Sequence, residues 1–146
     1  MGLMADIGDG PVAVDTVIFI YVIEEHPRFL PLLEQLFVEV DDGRRDLVTS
    51  AITLLEVLVV AYRSGDNVLA RRCEDLLTQS RGLRITDISR DHLRAAAKLR
   101  AKTGVKTPDS LQLVSALAAG CSTFITNDRD LPTIQTLRIL QLSSYV

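Results

Sequence analysis

Four acidic residues lie at four separate points of the sequence, each at the edge of an apolar segment: Asp15, Glu56, Asp109 and Asp128. One carboxylate at the end of a strand needs no special explanation, because turns and helix caps favour Asp. Several carboxylates that are each joined to a buried element instead predict a shared pocket, in which they repel one another unless a cation neutralises them. Such hard oxygen ligands suit Mg²⁺ or Mn²⁺, so the sequence predicts a divalent-metal site.

Each acid also has a structural explanation that the sequence alone leaves open. Asp15 could cap the helix that follows it, and Asp109 fits the first turn of a helix, where a negative charge complements the helix dipole. Asp128 and Asp130 are typical of turns. Glu56 is harder to explain in this way, because it interrupts an apolar helix in which an unpaired carboxylate is costly.

Strand and helix patterns alternate along the chain and determine where these acids would lie. Strands are predicted at residues 12–15, 47–49, 83–86, 123–126 and 137–142. Helices are predicted from residue 16, over 29–40, 51–62, 67–79, from 87–89 to 103–104, and over 109–119. This order favours an α/β sandwich around a mostly parallel sheet. Because ligands in such folds gather beyond the carboxyl ends of the strands, one cleft could collect all the acids.

The length and composition predict one compact domain. A chain of 146 residues that is 47% hydrophobic can bury a proper core but is too short for two domains. Residues 1–10 are polar and contain glycine, so we expect a flexible N-terminal arm or a cloning remnant there, with a single domain over residues 11–146.

Targeting signals and cysteine usage both favour a cytoplasmic protein that is not associated with a membrane. No apolar run reaches the roughly 18–20 residues needed to span a bilayer. The N-terminus lacks a basic region before an apolar stretch, so a signal peptide is not expected. Cys73 and Cys121 have neither metal-type spacing nor a framework of pairs, which is typical of free thiols in a reducing cytosol.

The distribution of charge is uneven. The net charge of −3 argues mildly against a general nucleic-acid binder. Between residues 84 and 106, however, there are seven Lys or Arg and only two Asp. A basic stripe, defined as Arg90, Arg94, Lys98 and Lys102, follows one face of a predicted helix at intervals of four residues. The basic stripe is either a solvated face or a surface that follows the phosphates of an RNA beside the metal site.

A series of short motifs, taken in order, resembles the PIN-domain family. The motifs are a hydrophobic residue before Asp15-Thr16, then Ser50-x-x-Thr53-x-x-Glu56, Pro108-Asp109-Ser110-Leu111 and Thr126-Asn127-Asp128-Arg129-Asp130. The match covers about Val12 to Leu142 and looks most like the small VapC-type toxins of bacterial and archaeal toxin–antitoxin pairs. It implies a three-layer α/β/α sandwich with a central, mostly parallel five-stranded sheet. It also implies a metal-dependent endoribonuclease.

The same resemblance implies roles for individual residues. Asp15, Glu56 and Asp109 match the acids that hold the family's Mg²⁺ or Mn²⁺, and Asp128 matches a further acid that often acts through water. The accessory positions are Thr16, Thr126 and Asp130. Two residues depart from the usual pattern. Val17 stands where many members carry Asn or Ser, which removes one polar contact, and Leu131 stands where Phe is common, which affects packing.

The resemblance implies partners as well, and other functions stay open. The expected partners are an RNA substrate, a cognate antitoxin and a second copy of the chain. Apolar residues over 18–23 and 29–37 would offer a groove for an amphipathic segment or a dimer face. The alternatives are a PIN nuclease of RNA maturation or turnover without an antitoxin, a non-catalytic RNA- or protein-binding module, and a phospho-accepting receiver. The receiver would need a paired acid early in the chain and a buried Lys near the last strand, and neither is evident.

Overall fold

A parallel sheet of five strands lies at the centre of the computed structural model, which describes residues 2–146. The strands are β1 (Val12–Val14), β2 (Leu47–Ser50), β3 (Leu83–Thr86), β4 (Thr123–Thr126) and β5 (Arg138–Gln141). Their order in the sheet is β3-β2-β1-β4-β5, and every pairing is parallel. The α/β fold with a five-stranded parallel sheet that the sequence predicted is confirmed.

Helices connect the strands. They are α1 (Leu3–Ile7), α2 (Thr16–Ile23), α3 (Leu30–Asp41), α4 (Ile52–Arg63), α5 (Asn67–Gln79), α6 (Arg90–Thr103) and α7 (Thr107–Ala118), with a 3₁₀ helix at Leu142–Tyr145. Local sequence fixes several of their ends. Ser89 caps α6 by accepting a hydrogen bond from the backbone N–H of His92 at 3.1 Å. Gly104 ends the same helix with φ 75°, a left-handed conformation that favours glycine.

The apolar core lies on both faces of the sheet. Successive residues of a strand point to opposite faces, so Val12 and Val14 of β1 join one hydrophobic cluster while Ala13 joins another. The first cluster contains Phe19 and is covered by α2, α3 and α5, and the second includes Leu113 of α7. The sheet is therefore buried on both sides, and its strand ends are where polar groups can gather.

The N-terminal residues differ from the flexible arm expected from the sequence. Residues 3–7 form α1, and Leu3 and Ile7 are buried in the main core. The hydroxyl of Tyr145 donates to the carboxylate of Asp6 at 2.5 Å. Arg45 donates to the carbonyl oxygens of Gly8 at 2.8 Å and Gly10 at 3.2 Å. Met1 lies outside the described residues, and the origin of the segment as a cloning remnant stays a prediction.

The exposed apolar surface differs in part from the prediction, although Val22 and Ile23 of the predicted groove segments line a cavity beside α5. Ile18, Phe19, Leu33 and Leu36, from the segments expected to form a partner groove, are fully buried in the core. Large apolar side chains are instead exposed on α4 and α5, among them Leu55, Val60, Tyr62 and Val68. None of the helices in residues 2–146 has the length and hydropathy required to cross a bilayer.

Candidate active site

The predicted acids lie at one end of the parallel sheet. Asp15 directly follows β1, and Asp128 lies two residues beyond the neighbouring strand β4. Glu56 is in the second turn of α4 and Asp109 in the first turn of α7, the helices that begin beyond this edge. The negative charges of Asp15, Asp128 and Glu56 all contribute to raising the pKa of Asp109, so the four carboxylates share one electrostatic environment.

Asp15 is held by hydrogen bonds from two elements. Its Oδ1 accepts from the backbone N–H of Thr16 at 2.8 Å, and its Oδ2 accepts from the hydroxyl of Thr126 at 2.8 Å. Asp15 is therefore the N-cap of α2, which is the structural explanation that the sequence offered, and its part in a metal site stays a prediction. Burial raises the pKa of Asp15, the two hydrogen bonds lower it, and the charges of Glu56 and Asp128 raise it further.

Glu56 is tied to the same segment through Thr16. The hydroxyl of Thr16 donates to Oε1 of Glu56 at 2.7 Å, while its backbone N–H binds Asp15. One residue therefore sets the relative position of two acids. The accessory role implied for Thr16 has a clear geometric basis here, because Thr16 is buried and cannot exchange these bonds for water.

Asp128 lies in a turn that is braced from both sides. Its backbone N–H donates to the hydroxyl of Thr126 at 3.0 Å, and its carbonyl accepts from the side chain of Gln141 at 2.8 Å. Its Oδ1 accepts from the backbone N–H of Asp130 at 2.8 Å. Asp130 therefore contacts the carboxylate of Asp128 through its backbone N–H, while the side chain of Asp130 is exposed.

The pKa of Asp109 is raised from 3.8 to about 6, first by burial and then by the charges of Asp15, Asp128 and Glu56. The cation of Lys106, at the start of α7, opposes this shift. Lys106 is a positive group near the acids that the sequence did not single out. The one cue was its place three residues before Asp109.

The raised pKa of Asp109 predicts how the stability of the metal-free protein depends on pH. Since the folded-state pKa exceeds the unfolded value of 3.8, this group contributes stability that is fully present below pH 3.8 and is lost as the pH rises through about 6. We expect Asp109→Asn to become more stable relative to the parent as the pH rises through that interval. Urea unfolding of both proteins with chelator across this range measures the difference. If the difference in unfolding free energy between Asp109→Asn and the parent does not change with pH, the raised pKa of Asp109 is contradicted.

The donor set fits a hard divalent cation, although the acids are not converged on one point. Within residues 2–146, no three Asp, Glu, His or Cys side chains are close enough to hold an ion in their present positions. Mutual repulsion between unneutralised carboxylates favours such separation. In residues 2–146, the ion pairs of 4 Å or less involve none of the four acids, so their charge is not met by a Lys or Arg partner. Carboxylates in this setting are suited to Mg²⁺ or Mn²⁺.

A buried polar network beneath the acids was not predicted. Thr49, Thr53 and Gln112 are almost completely buried, and their side chains are hydrogen bonded to one another. Thr53 belongs to the motif around Glu56, but no role was assigned to it. The available signal for Gln112 was a long polar residue within the otherwise apolar Leu111–Val114 stretch, one helical turn after Asp109.

The basic stripe lies on α6, and its four members are exposed. The opposite side of the helix buries Ala96 and packs against α7, the helix that carries Asp109. Arg94 forms an exposed ion pair with Asp91 at 2.8 Å. The stripe is therefore solvent-facing as predicted, and its binding of RNA stays a prediction.

The two departures from the family pattern are both accommodated by packing. Val17 is partly buried against the main core. Leu131 is partly buried against the second cluster, on the other face of the sheet. The network around Thr16 is complete without a polar side chain at position 17, since the hydroxyl of Thr16 reaches Glu56 directly.

Comparison with known proteins supports the fold and the family. The sequence profile of the PIN domain matches residues 12–137. The fold is similar to that in VapBC2 from Rickettsia felis bound to a promoter DNA fragment, with 22% identity, a TM-score of 0.67, and coverage of 89% of this chain and 97% of that chain. A toxin–antitoxin complex from Klebsiella pneumoniae is 22% identical, with a TM-score of 0.68, and the match covers 90% of this chain and 97% of that chain. VapBC-1 from nontypeable Haemophilus influenzae is 21% identical, with a TM-score of 0.66, and the match covers 90% of this chain and 98% of that chain.

No curated protein matches the chain. The profile match spans most of the chain, from the first strand to the start of the last, and includes every predicted acid. The motifs that carry the resemblance, from Asp15 to Asp130, all lie within the matched residues. The chain therefore belongs to the PIN domain family.

Proposed function

We propose that the protein is a divalent-metal-dependent endoribonuclease that hydrolyses RNA phosphodiester bonds and acts in the cytoplasm as the toxin of a type II toxin–antitoxin pair. The observation that carries this proposal is the shared environment of Asp15, Glu56, Asp109 and Asp128 at the end of the sheet, where burial and the charges of the neighbouring acids raise the pKa of Asp15 and of Asp109. Apart from the N-cap that Asp15 provides for α2, bringing these unneutralised acids together costs stability in the metal-free protein. Their arrangement is explained when a cation is the ligand.

The chemistry follows from the residue types. When bound, Mg²⁺ or Mn²⁺ would acidify the attacking water and offset negative charge on the scissile phosphate. Asp15, Glu56 and Asp109 would hold the cation. Asp128 would orient or deprotonate the water, because its turn is braced and its carboxylate is half-buried at the same edge. Thr16 and Thr126 hold the acids in place, and the backbone N–H of Asp130 fixes the carboxylate of Asp128.

The experiment that tests this proposal is cleavage of a single-stranded RNA of mixed sequence by the purified chain. We expect internal cleavage with Mg²⁺ or Mn²⁺ and none with chelator. Products that shorten only from one end would indicate an exonuclease instead. Binding without cleavage under any metal condition would favour the non-catalytic module that the sequence left open.

The basic stripe is proposed to follow the phosphate backbone of the substrate. Replacing Arg94, Lys98 and Lys102 together by Gln should weaken RNA binding and reduce the salt slope, since each phosphate contact contributes about 0.7 to that slope for single strands. Hydrolysis of bound RNA should change less, because the acids are untouched. The measurement is RNA affinity by fluorescence anisotropy over a range of salt concentrations.

A matched control for the basic stripe is available on other helices and turns. Arg44, Arg63 and Arg71 are exposed, and Arg44 forms an exposed ion pair with Asp42 at 2.9 Å just as Arg94 does with Asp91. Changing these three to Gln alters the net charge equally but should leave the salt slope near the parent value. If the two triple variants lose RNA affinity and salt slope equally, only the net charge matters and the basic stripe is a solvated face.

The proposed protein partners are a cognate antitoxin and a second copy of the chain. A cavity of about 380 Å³ lies between α2 and α5, and its lining includes Val22, Ile23, Leu69 and Leu76. Together with the exposed apolar residues of α4, this surface suits an amphipathic segment of the antitoxin. An Arg of that segment could pair with Asp15, Glu56 or Asp109 and compete with the cation. The same surface could also be the homodimer face.

A further inference from the structure

Gln112 joins three elements beneath the acidic cluster. It lies on α7, three residues after Asp109, and only 2% of its surface is exposed. Its Oε1 accepts from the backbone N–H of Ser50, at the end of β2, at 3.1 Å. Its Nε2 donates to the hydroxyl of Thr53 on α4 at 2.6 Å and to the hydroxyl of Thr16 on α2 at 3.3 Å.

The backbone fixes which way this amide is oriented. A backbone N–H can only donate, so the atom of Gln112 that faces Ser50 must be the amide oxygen. The amide nitrogen then lies on the side of Thr16 and Thr53, and a primary amide nitrogen donates only. Both threonine hydroxyls must therefore accept from Gln112.

This orientation makes the hydroxyl of Thr16 an acceptor toward Gln112 and leaves its proton to be donated elsewhere. Two oxygens lie within reach of that proton, Oε1 of Glu56 at 2.7 Å and the hydroxyl of Thr53 at 3.1 Å. Because a carboxylate can only accept, the shorter contact with Glu56 takes the proton of Thr16. The backbone N–H of Thr16 simultaneously binds Oδ1 of Asp15. A directed path therefore runs from the backbone of β2 through Gln112 and Thr16 to Glu56.

We propose that Gln112 is a positioning residue of the active site, whose amide directs the hydroxyl of Thr16 toward Glu56 and so sets Glu56 relative to Asp15. The proposal rests on the proposed function, because it concerns how the acids are held for a cation. Groups that orient metal ligands in this way typically change metal affinity or activity by about 10- to 100-fold when they are removed.

The principal test replaces Gln112 by Met, which keeps the length and apolar volume of the side chain but removes both hydrogen-bonding ends. We expect the Kd for Mn²⁺ to rise about 10- to 100-fold and kcat for RNA to fall more than KM changes. The control is Leu113→Val on the same helix, because Leu113 is fully buried and lies in the core cluster rather than the polar network. This variant should lose stability while keeping the Mn²⁺ affinity.

A double-mutant cycle tests whether Gln112 acts through Thr16. Thr16→Val removes the hydroxyl and keeps the shape of the side chain. If the path is as described, Gln112→Met should have a much smaller effect on Mn²⁺ affinity in the Thr16→Val background than in the parent, since residues in one network are not additive. Equal effects in both backgrounds would overturn the proposed path.

A readout in the metal-free protein separates this proposal from the proposed function. Three-bond NMR couplings of the Thr16 methyl group should report one χ1 rotamer in the parent and in Leu113→Val, and averaged rotamers in Gln112→Met. A parent chain that neither binds Mn²⁺ nor cleaves RNA would overturn the proposed function, yet these couplings would still decide the role of Gln112. One unchanged rotamer in Gln112→Met would make Gln112 a core residue only.

The parent chain itself offers a further check if Gln112→Met does not fold. The side-chain amide protons of Gln112 should exchange slowly with solvent, because they are buried and hydrogen bonded. Gln112→Asn keeps a buried amide but shortens the side chain by one methylene. Like Gln112→Met, it should show averaged χ1 rotamers of Thr16 instead of one. Rapid exchange in the parent would overturn the proposal.

Discussion

Asp15→Asn and Asp109→Asn should each reduce RNA cleavage by about 10²- to 10³-fold or more, the effect found when a group that stabilises transition-state charge is removed. Each change removes a negative oxygen ligand and leaves a side chain of nearly the same shape. Asn is also a good N-cap, so α2 should keep its start when Asp15 is replaced. The measurement is the single-turnover cleavage rate with saturating Mg²⁺ or Mn²⁺, together with a folding control by circular dichroism.

The matched control for these variants is Asp75→Asn. Asp75 is exposed on α5 and has the same chemistry, but it takes no part in the acidic cluster. It should cleave RNA at the parent rate. Parent-like cleavage by either Asp15→Asn or Asp109→Asn, with the fold intact, would remove that residue from the site and with it the proposed division of roles.

Expression of the chain alone should arrest bacterial growth, and this is the second large effect. The reason is that a ribonuclease without its inhibitor depletes cellular RNA. Glu56→Gln should relieve the arrest, because it removes a carboxylate that is proposed to bind the cation but retains an oxygen that can accept from Thr16. Co-expression of the open reading frame directly upstream should relieve it as well, by forming a complex. Growth curves and co-purification measure the two effects.

The comparison of the two rescues distinguishes the candidate functions. Relief by Glu56→Gln but not by the neighbour would favour a PIN nuclease of RNA maturation or turnover. Unimpaired growth with abundant, folded, metal-binding protein would contradict the toxin proposal. In isolation we expect a homodimer, and sedimentation of the chain with and without the neighbour tests whether the hetero-complex replaces it.

Periodic local patterns in the sequence were sufficient to locate most of the central elements. Strands β3 and β4 and helix α5 lie at the residues predicted for them, since each is bounded by a turn or a capping residue that the sequence displays. The N-terminal helix was missed because its segment is only five residues long and is flanked by Gly2 and Gly8, and because the burial of Leu3 and Ile7 depends on tertiary contacts with the core. Local pattern carries no information about such contacts.

Apolar content along a helix did not predict which face is exposed. Segments 18–23 and 29–37 are rich in apolar residues, yet Ile18, Phe19, Phe29, Leu33 and Leu36 among them are buried in the core. Helix α4 is apolar nearly all round, but Leu55 and Val60 are exposed on it. Which side of an all-round apolar helix is covered depends on where its neighbours pack, and this is a property of the assembled fold.

The site shows the same division between local and long-range information. Glu56 can be recognised from the sequence alone, because a carboxylate within an apolar helix is costly unless it is paired or binds a metal. The amide of Gln112, which binds Thr16 beneath the acids, is itself oriented by the backbone N–H of Ser50, 62 residues away in the sequence. Only the folded chain brings that pair together.

The central claim is that the carboxylates of Asp15, Glu56 and Asp109 hold the catalytic cation. A calorimetric titration of Mn²⁺ into the metal-free chain tests this claim most directly. At about pH 7.5 the carboxyl of Asp109, with its pKa of about 6, is ionised and able to bind a metal. The parent should bind Mn²⁺ saturably and gain thermal stability from it, and Asp15→Asn and Asp109→Asn should each lose most of both effects. Mn²⁺ affinity in these two variants equal to that of the parent would contradict the account.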